Sequence, residues 1–348
     1  MFINFKHLFS SMIKHSIKLK FYLKSIAIIS VITLIILIAS TSPSSSWGFY
    51  VHRKVNKIAV FTLPPEMFSF YKKHIEYISE HGTDPDKRTF SDANEAIRHY
   101  IDIDHYGDKP FDLMPRKWKD AIAKYTEDTL KTYGINPWWI EVMMYRLTDA
   151  FKNEDVDKIL YVSANLGHYI ADATVPLHTS EYYDGRIPEQ KGIHAFWESR
   201  LPELFSDNYD LFTGRAEYIA KPLDKAWELI ESSHNCIDTI LAIDNYLRLN
   251  FPSDKKFSYE NKGQMTVKVY SKEYSQLFHT MLGGMIEDRM KVAIKTVGSF
   301  WYTAWVNAGQ PDLTKIEDKN ISDAHKKELK ETEELWKTGN PKGRPNPE

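Results

Sequence analysis

Along residues 47–310 apolar positions recur with the period of a helix, and strand-like alternation is scarce. The pattern predicts helices over 64–80, 115–133, 138–151, 154–174, 189–206, 215–247 and 269–308. No internal repeat and no low-complexity linker divides this stretch, so it predicts an all-α fold with a single multi-helical domain over 47–310. The remainder, 311–348, reads as a charged surface helix over 316–338 and a disordered Pro- and Gly-rich end.

Helix 154–174 carries the most information. Asn153 suits its N-cap, and Glu154 and Asp155 suit the positive end of the helix dipole. Val156, Ile159, Leu160, Leu166 and Ile170 fall in one stripe about 120° wide. His168 and Asp172 lie on another side with Tyr161 and Ala164. One face is therefore predicted to enter the core and the other to meet something polar. Pro176 stops the helix, and His178 follows on the turn.

The first 46 residues differ from the rest. Five lysines and no acidic residue precede an apolar run over 26–39, and a Ser-rich stretch follows. That order describes a secretory signal, and predicts a periplasmic or secreted protein. The run is short against the roughly 20 residues of a membrane span. Anchoring through 26–39 is the alternative. Without residues 1–46 the chain keeps 40 basic against 47 acidic residues, a formal charge of about −7. Such a surface has no general attraction for nucleic acid or anionic lipid, although a local metal charge can override it. Cys236 is the sole cysteine, so no internal disulfide can form, and the exported chain is held by its core or by metals.

His168 and Asp172 stand at i and i+4, and His194 and Glu198 repeat that spacing. Each pair leaves one helical face a turn apart. Imidazole nitrogens and carboxylate oxygens are good zinc ligands. One such pair is more often a salt bridge. Two pairs about thirty residues apart, with His178 between them, predict a shared cluster.

The run Gly167-His168-Tyr169-Ile170-Ala171-Asp172-Ala173-Thr174-Val175-Pro176-Leu177-His178 resembles the signature of the zinc-dependent phospholipases C and of the single-strand-specific zinc nucleases of the same superfamily. Gly192-Ile193-His194-Ala195-Phe196-Trp197-Glu198 resembles the second signature. The resemblance implies an all-helical fold with three zinc ions. It implies further ligands: Trp47 as the first residue after cleavage, His52, and His99 in His99-Tyr100-Ile101-Asp102. It also implies an aspartate before His99, and the spacing favours Asp84 over Asp86. By the same resemblance Asp84, His99, His168 and Asp172 hold one zinc. His178, His194 and Glu198 hold a second, and Trp47 and His52 a third, with Asp172 bridging to the first. Asp102, Asp104 and His105 are left as supporting residues, and Tyr182, Tyr183, Trp138 and Trp139 as core or cleft aromatics.

The implied activity is zinc-dependent hydrolysis of a phosphodiester P–O bond, with Asp84 activating the water. The substrate is a phospholipid or a single-stranded nucleic acid, and no protein partner is implied. Glu198 and the short stretch after His178 resemble the phospholipases, whereas the Trp47-x4-His52 spacing resembles the nucleases. A non-catalytic, zinc-stabilised envelope binding protein is a third reading.

Overall fold

The computed structural model of the protein describes residues 48–262 and 265–342. Trp47, the apolar run 26–39 and residues 343–348 lie outside them. Helices of eight residues or more are α1 (Gly48–Ala59), α2 (Pro65–Lys73), α3 (Trp118–Tyr125), α4 (Asn136–Lys152), α5 (Val156–Ala173), α6 (Pro222–His234), α7 (Ile237–Asn250), α8 (Lys272–Met281), α9 (Met285–Asn307) and α10 (Asp323–Thr338). Strands β1 (Phe257–Lys262) and β2 (Met265–Tyr270) pair antiparallel, with Phe257 opposite Tyr270. The fold is all-α, and this hairpin is its one sheet among the described residues.

Helix α5 is the axis of the domain. Helices α1, α4 and α9 surround it, and every α5 residue except Asp157, Lys158 and Tyr161 is buried. Its apolar stripe enters a continuous core with Phe151, Trp301 and Phe300. The polar side is buried too, because it faces other polar groups and not solvent. The start of α5 differs from expectation. Asn153 ends α4, its side chain donating to the Asp149 carbonyl at 2.7 Å. Glu154 then takes φ +49°, so Asp155 is the residue whose side chain caps α5, accepting from the Lys158 amide at 3.2 Å.

Several predicted helices are broken by local chemistry. The 64–80 helix divides at His74, and the 115–133 helix divides at Thr126, whose φ of +70° starts a new capped turn. Gly283 and Gly284, at φ +61° and +92°, separate α8 from α9. The hairpin occupies the start of the predicted 269–308 helix, and α1 falls where no helix is predicted.

Asn56 locks α1 to α5. Its amide donates to Ile78 O at 3.2 Å and to Ala164 O at 2.9 Å. Gly82 and Gly167 flank it so closely that a Cβ on Gly167 would meet Asn56 Oδ1 at 2.0 Å, and one on Gly82 would meet Nδ2 at 2.5 Å.

Helix α10 is charged, and it clamps the body. His325 is buried against Tyr77, with Nε2 2.6 Å from the hydroxyl oxygen. Glu333 pairs with Lys87 at 3.0 Å, and Trp336 lies 5.6 Å from the Phe49 ring. Beyond α10 the Lys342 amide donates to Thr89 O at 2.7 Å, so residues 339–342 rest on the domain.

Candidate metal centre

Three short stretches meet the polar side of α5. Helix α1 brings His52, the segment 81–99 brings Asp86 and His99, and the chain after α5 brings His178, His194 and Glu198. His194 and Glu198 lie across a switch from an α turn (Ile193–Ala195) to a π turn (Phe196–Arg200). Single π turns recur at functional sites because they re-aim a side chain without ending a helix.

The first group centres on Asp172. Its Oδ2 stands 3.2 Å from His168 Nε2 and 3.1 Å from His99 Nδ1, and those two nitrogens are 3.0 Å apart. Asp86 Oδ1 is 3.6 Å from both nitrogens. The second group joins Glu198 Oε2 to His178 Nε2 at 3.1 Å and to His194 Nε2 at 3.0 Å. His52 stacks on His168 at 3.9 Å, and its Nε2 lies 3.4 Å from Asp172 Oδ1. The two oxygens of Asp172 therefore face different histidines.

These groups pair with one another, and their spacing also suits a shared metal ion. Ligands about 2.1 Å from a tetrahedral ion stand about 3.4 Å apart, close to the 3.0–3.6 Å seen here. Asp172 Oδ2 and His194 Nε2 are near partners in distance, yet neither makes a directed hydrogen bond. The outer nitrogens support this reading. His168 Nδ1 lies 2.8 Å from Gly82 O and His178 Nδ1 2.9 Å from His99 O, which fixes the proton there and turns Nε2 inward as the ligand atom. The buried His, Asp and Glu groups thus could hold metal ions.

The electrostatics are those of a cluster seeking cations. Burial opposes charge on His99 and His178, but neighbouring Asp172 and other carboxylates outweigh it and push them up to about 10 and about 9. Burial and His168 push His52 down to about 3. Burial would raise Asp172 and Glu198, yet the histidines around them hold both well below the usual carboxylate range. Burial raises Asp86. Solvent reaches parts of the cluster: the Glu198, Asp86 and His52 side chains keep 14%, 10% and 9% exposure, whereas His168 keeps none.

The sequence expectation of Asp84 is corrected by this geometry. Its carboxylate turns away to His81 Nδ1 at 2.7 Å and Lys87 Nζ at 3.3 Å, and Asp86 takes the place beside His99 and His168. His52, His99, His168, Asp172, His178, His194 and Glu198 all come together. Trp47 lies outside the described residues. Asp104 accepts from Ser180 Oγ at 2.5 Å and from the Glu181 amide, tying down the chain after His178. His105 stacks on Tyr133 at 3.3 Å, and Trp138 packs in the core between Trp118 and Trp227. The Tyr183 ring lies edge to face with His194, their centroids 6.0 Å apart. Glu95 escaped the sequence reading, although it stands four residues before His99, at the same spacing as the two recognised pairs.

A larger cleft, about 540 Å³, lies under α10 around Arg88, Tyr161 and His325, and no residue of the cluster lines it. No helix among the described residues is long and apolar enough to cross a membrane. No protein-family model matches the chain, and no curated protein matches it.

Proposed function

We propose that the protein is an exported zinc-dependent phosphodiesterase that hydrolyses P–O bonds, similar to the phospholipases C, and that its centre takes three zinc ions. The observation that carries this reading is the convergence of His99, His168, Asp86 and Asp172, and of His178, His194 and Glu198, at ligand-to-ligand spacing. A donor set of nitrogens and oxygens without sulfur suits zinc. His52 and the far oxygen of Asp172 begin a third position, to which a chain starting at Trp47 would add its α-amino group.

Asp86, Asp172 and Glu198 supply three negative charges. Three bound divalent ions would exceed that charge, and the surplus would favour an anionic diester. Bound zinc lowers the pKa of water towards neutrality and offsets charge on the phosphate oxygens. Asp86, beside His99 and His168, would take the proton of the attacking water on its carboxylate. His168 and His178 keep their outer protons on backbone carbonyls, so their rings hold one orientation through turnover.

The test is metal analysis of purified protein followed by a substrate panel of phosphatidylcholine, single-stranded DNA and RNA. Zinc with release of diacylglycerol is expected. Rapid cleavage of nucleic acid alone would select the nuclease reading, which the Trp47-x4-His52 spacing favours. Zinc without hydrolysis of any diester, chromogenic ones included, would leave a structural centre. N-terminal sequencing that found a start other than Trp47 would remove the third position.

A further inference from the structure

Three of the cluster histidines expose a question about their outer nitrogens. His168 and His178 each place Nδ1 on a backbone carbonyl. His99 is reversed: it turns Nδ1 inward and leaves Nε2 behind, buried and without a hydrogen-bond partner. Facing that nitrogen at 3.7 Å is Glu95 Oε1. Glu95 is completely buried, and a buried carboxylate needs a strong reason to stay there.

The reason is a built cradle. Arg98 Nη1 donates to Glu95 Oε2 at 2.6 Å and Arg88 Nε to the same oxygen at 3.2 Å. The Tyr169 hydroxyl donates to Oε1. Arg88 is held in turn by Asn165 Oδ1. Asn165 and Tyr169 both project from α5, the helix that also carries His168 and Asp172. The carboxylate is thus fixed from the ligand helix itself, behind His99 and unable to swing into the cluster.

We infer that Glu95 is a positioning residue for the metal centre: its carboxylate faces the Nε2–H of His99, keeps the proton on that nitrogen and so commits the ring to binding metal through Nδ1. A carboxylate behind a ligating imidazole fixes its tautomer and raises its basicity. The inference rests on the proposed zinc centre and names a part of its machinery.

The experiment compares zinc affinity, by competition with a chelator, in wild type, Glu95→Gln and Tyr169→Phe. Glu95→Gln keeps the shape and removes the charge. It is expected to weaken zinc at the His99 and His168 position about 10- to 100-fold and to leave the His178, His194 and Glu198 position unchanged. Tyr169→Phe keeps the carboxylate and is expected to lose far less affinity. Nitrogen-15 NMR of the zinc-loaded wild type gives a second readout that needs no variant: His99 should carry its proton on Nε2. A wild type that binds zinc through His99 Nε2, or a Glu95→Gln protein that binds all its zinc normally, overturns the inference and leaves the centre standing. A wild type that binds no zinc sinks both. Equal loss at every position in Glu95→Gln would mark Glu95 as general scaffolding and would also overturn it.

Discussion

Within Asp84-Pro85-Asp86, His81 and Lys87 neutralise the first carboxylate, which leaves the second to face His99 and His168. The two aspartates make opposite predictions. Asp86→Asn should remove zinc from the first position and abolish turnover, with the fold intact by circular dichroism. Asp84→Asn should retain full zinc by elemental analysis and lose about 1–3 kcal/mol of stability in denaturant titration, because a buried charged network is weakened. The sequence could not choose between them, since the choice depends on which way a carboxylate turns at a five-residue helix (Asp84–Arg88). The helical ligands were easier. His168, Asp172, His194 and Glu198 were legible because i, i+4 spacing alone puts two side chains on one face. Glu95 and His99 share that spacing but flank a 3-10 turn (Ala96–Arg98), where it does not put two side chains on one face, so the rule does not reach them.

Helix existence was read well where the apolar period is long and uninterrupted, as in α4 and α5. It failed at short switches. Thr126 and Gly283 break helices through backbone conformations that a periodicity does not record. Helix α1 was hidden beside the signal-like segment, yet it carries His52. The position of α1 depends on Asn56, whose amide is tethered to two carbonyls between Gly82 and Gly167. Gly167→Ala would force that tether apart. It should cost about 1–3 kcal/mol and displace His52 relative to His168. Thermal unfolding and zinc content, measured together, check this: a protein with wild-type melting and zinc would show that the α1–α5 contact has slack.

For the whole molecule, a centre built from α1, α5 and the segments on either side ties distant stretches of the chain together without a disulfide. Chelation should therefore lower the melting temperature, because an ion bound to the folded state alone stabilises it by mass action. A melting curve unchanged by chelator would count against metal loading. Helix α10 closes the other side. Deleting residues 321–348 uncovers Tyr77, Phe49 and the Lys87 ammonium that Glu333 holds. Hydrogen exchange should then quicken selectively over 84–88, where Asp86 sits, while the amides of α4 keep their protection. Uniform acceleration would mean that α10 stabilises the domain at large.

Asp172 divides its two oxygens between His52 on one side and the His99 and His168 pair on the other. The arithmetic of filling follows from that division. In the proposed centre, two positions that share one carboxylate would not titrate as independent sites: the first occupant would orient the shared group for the second, and then compete with it for the same negative charge. Loading curves should bend away from a simple hyperbola, and Asp172→Ala should straighten them while leaving the Glu198 position to fill alone.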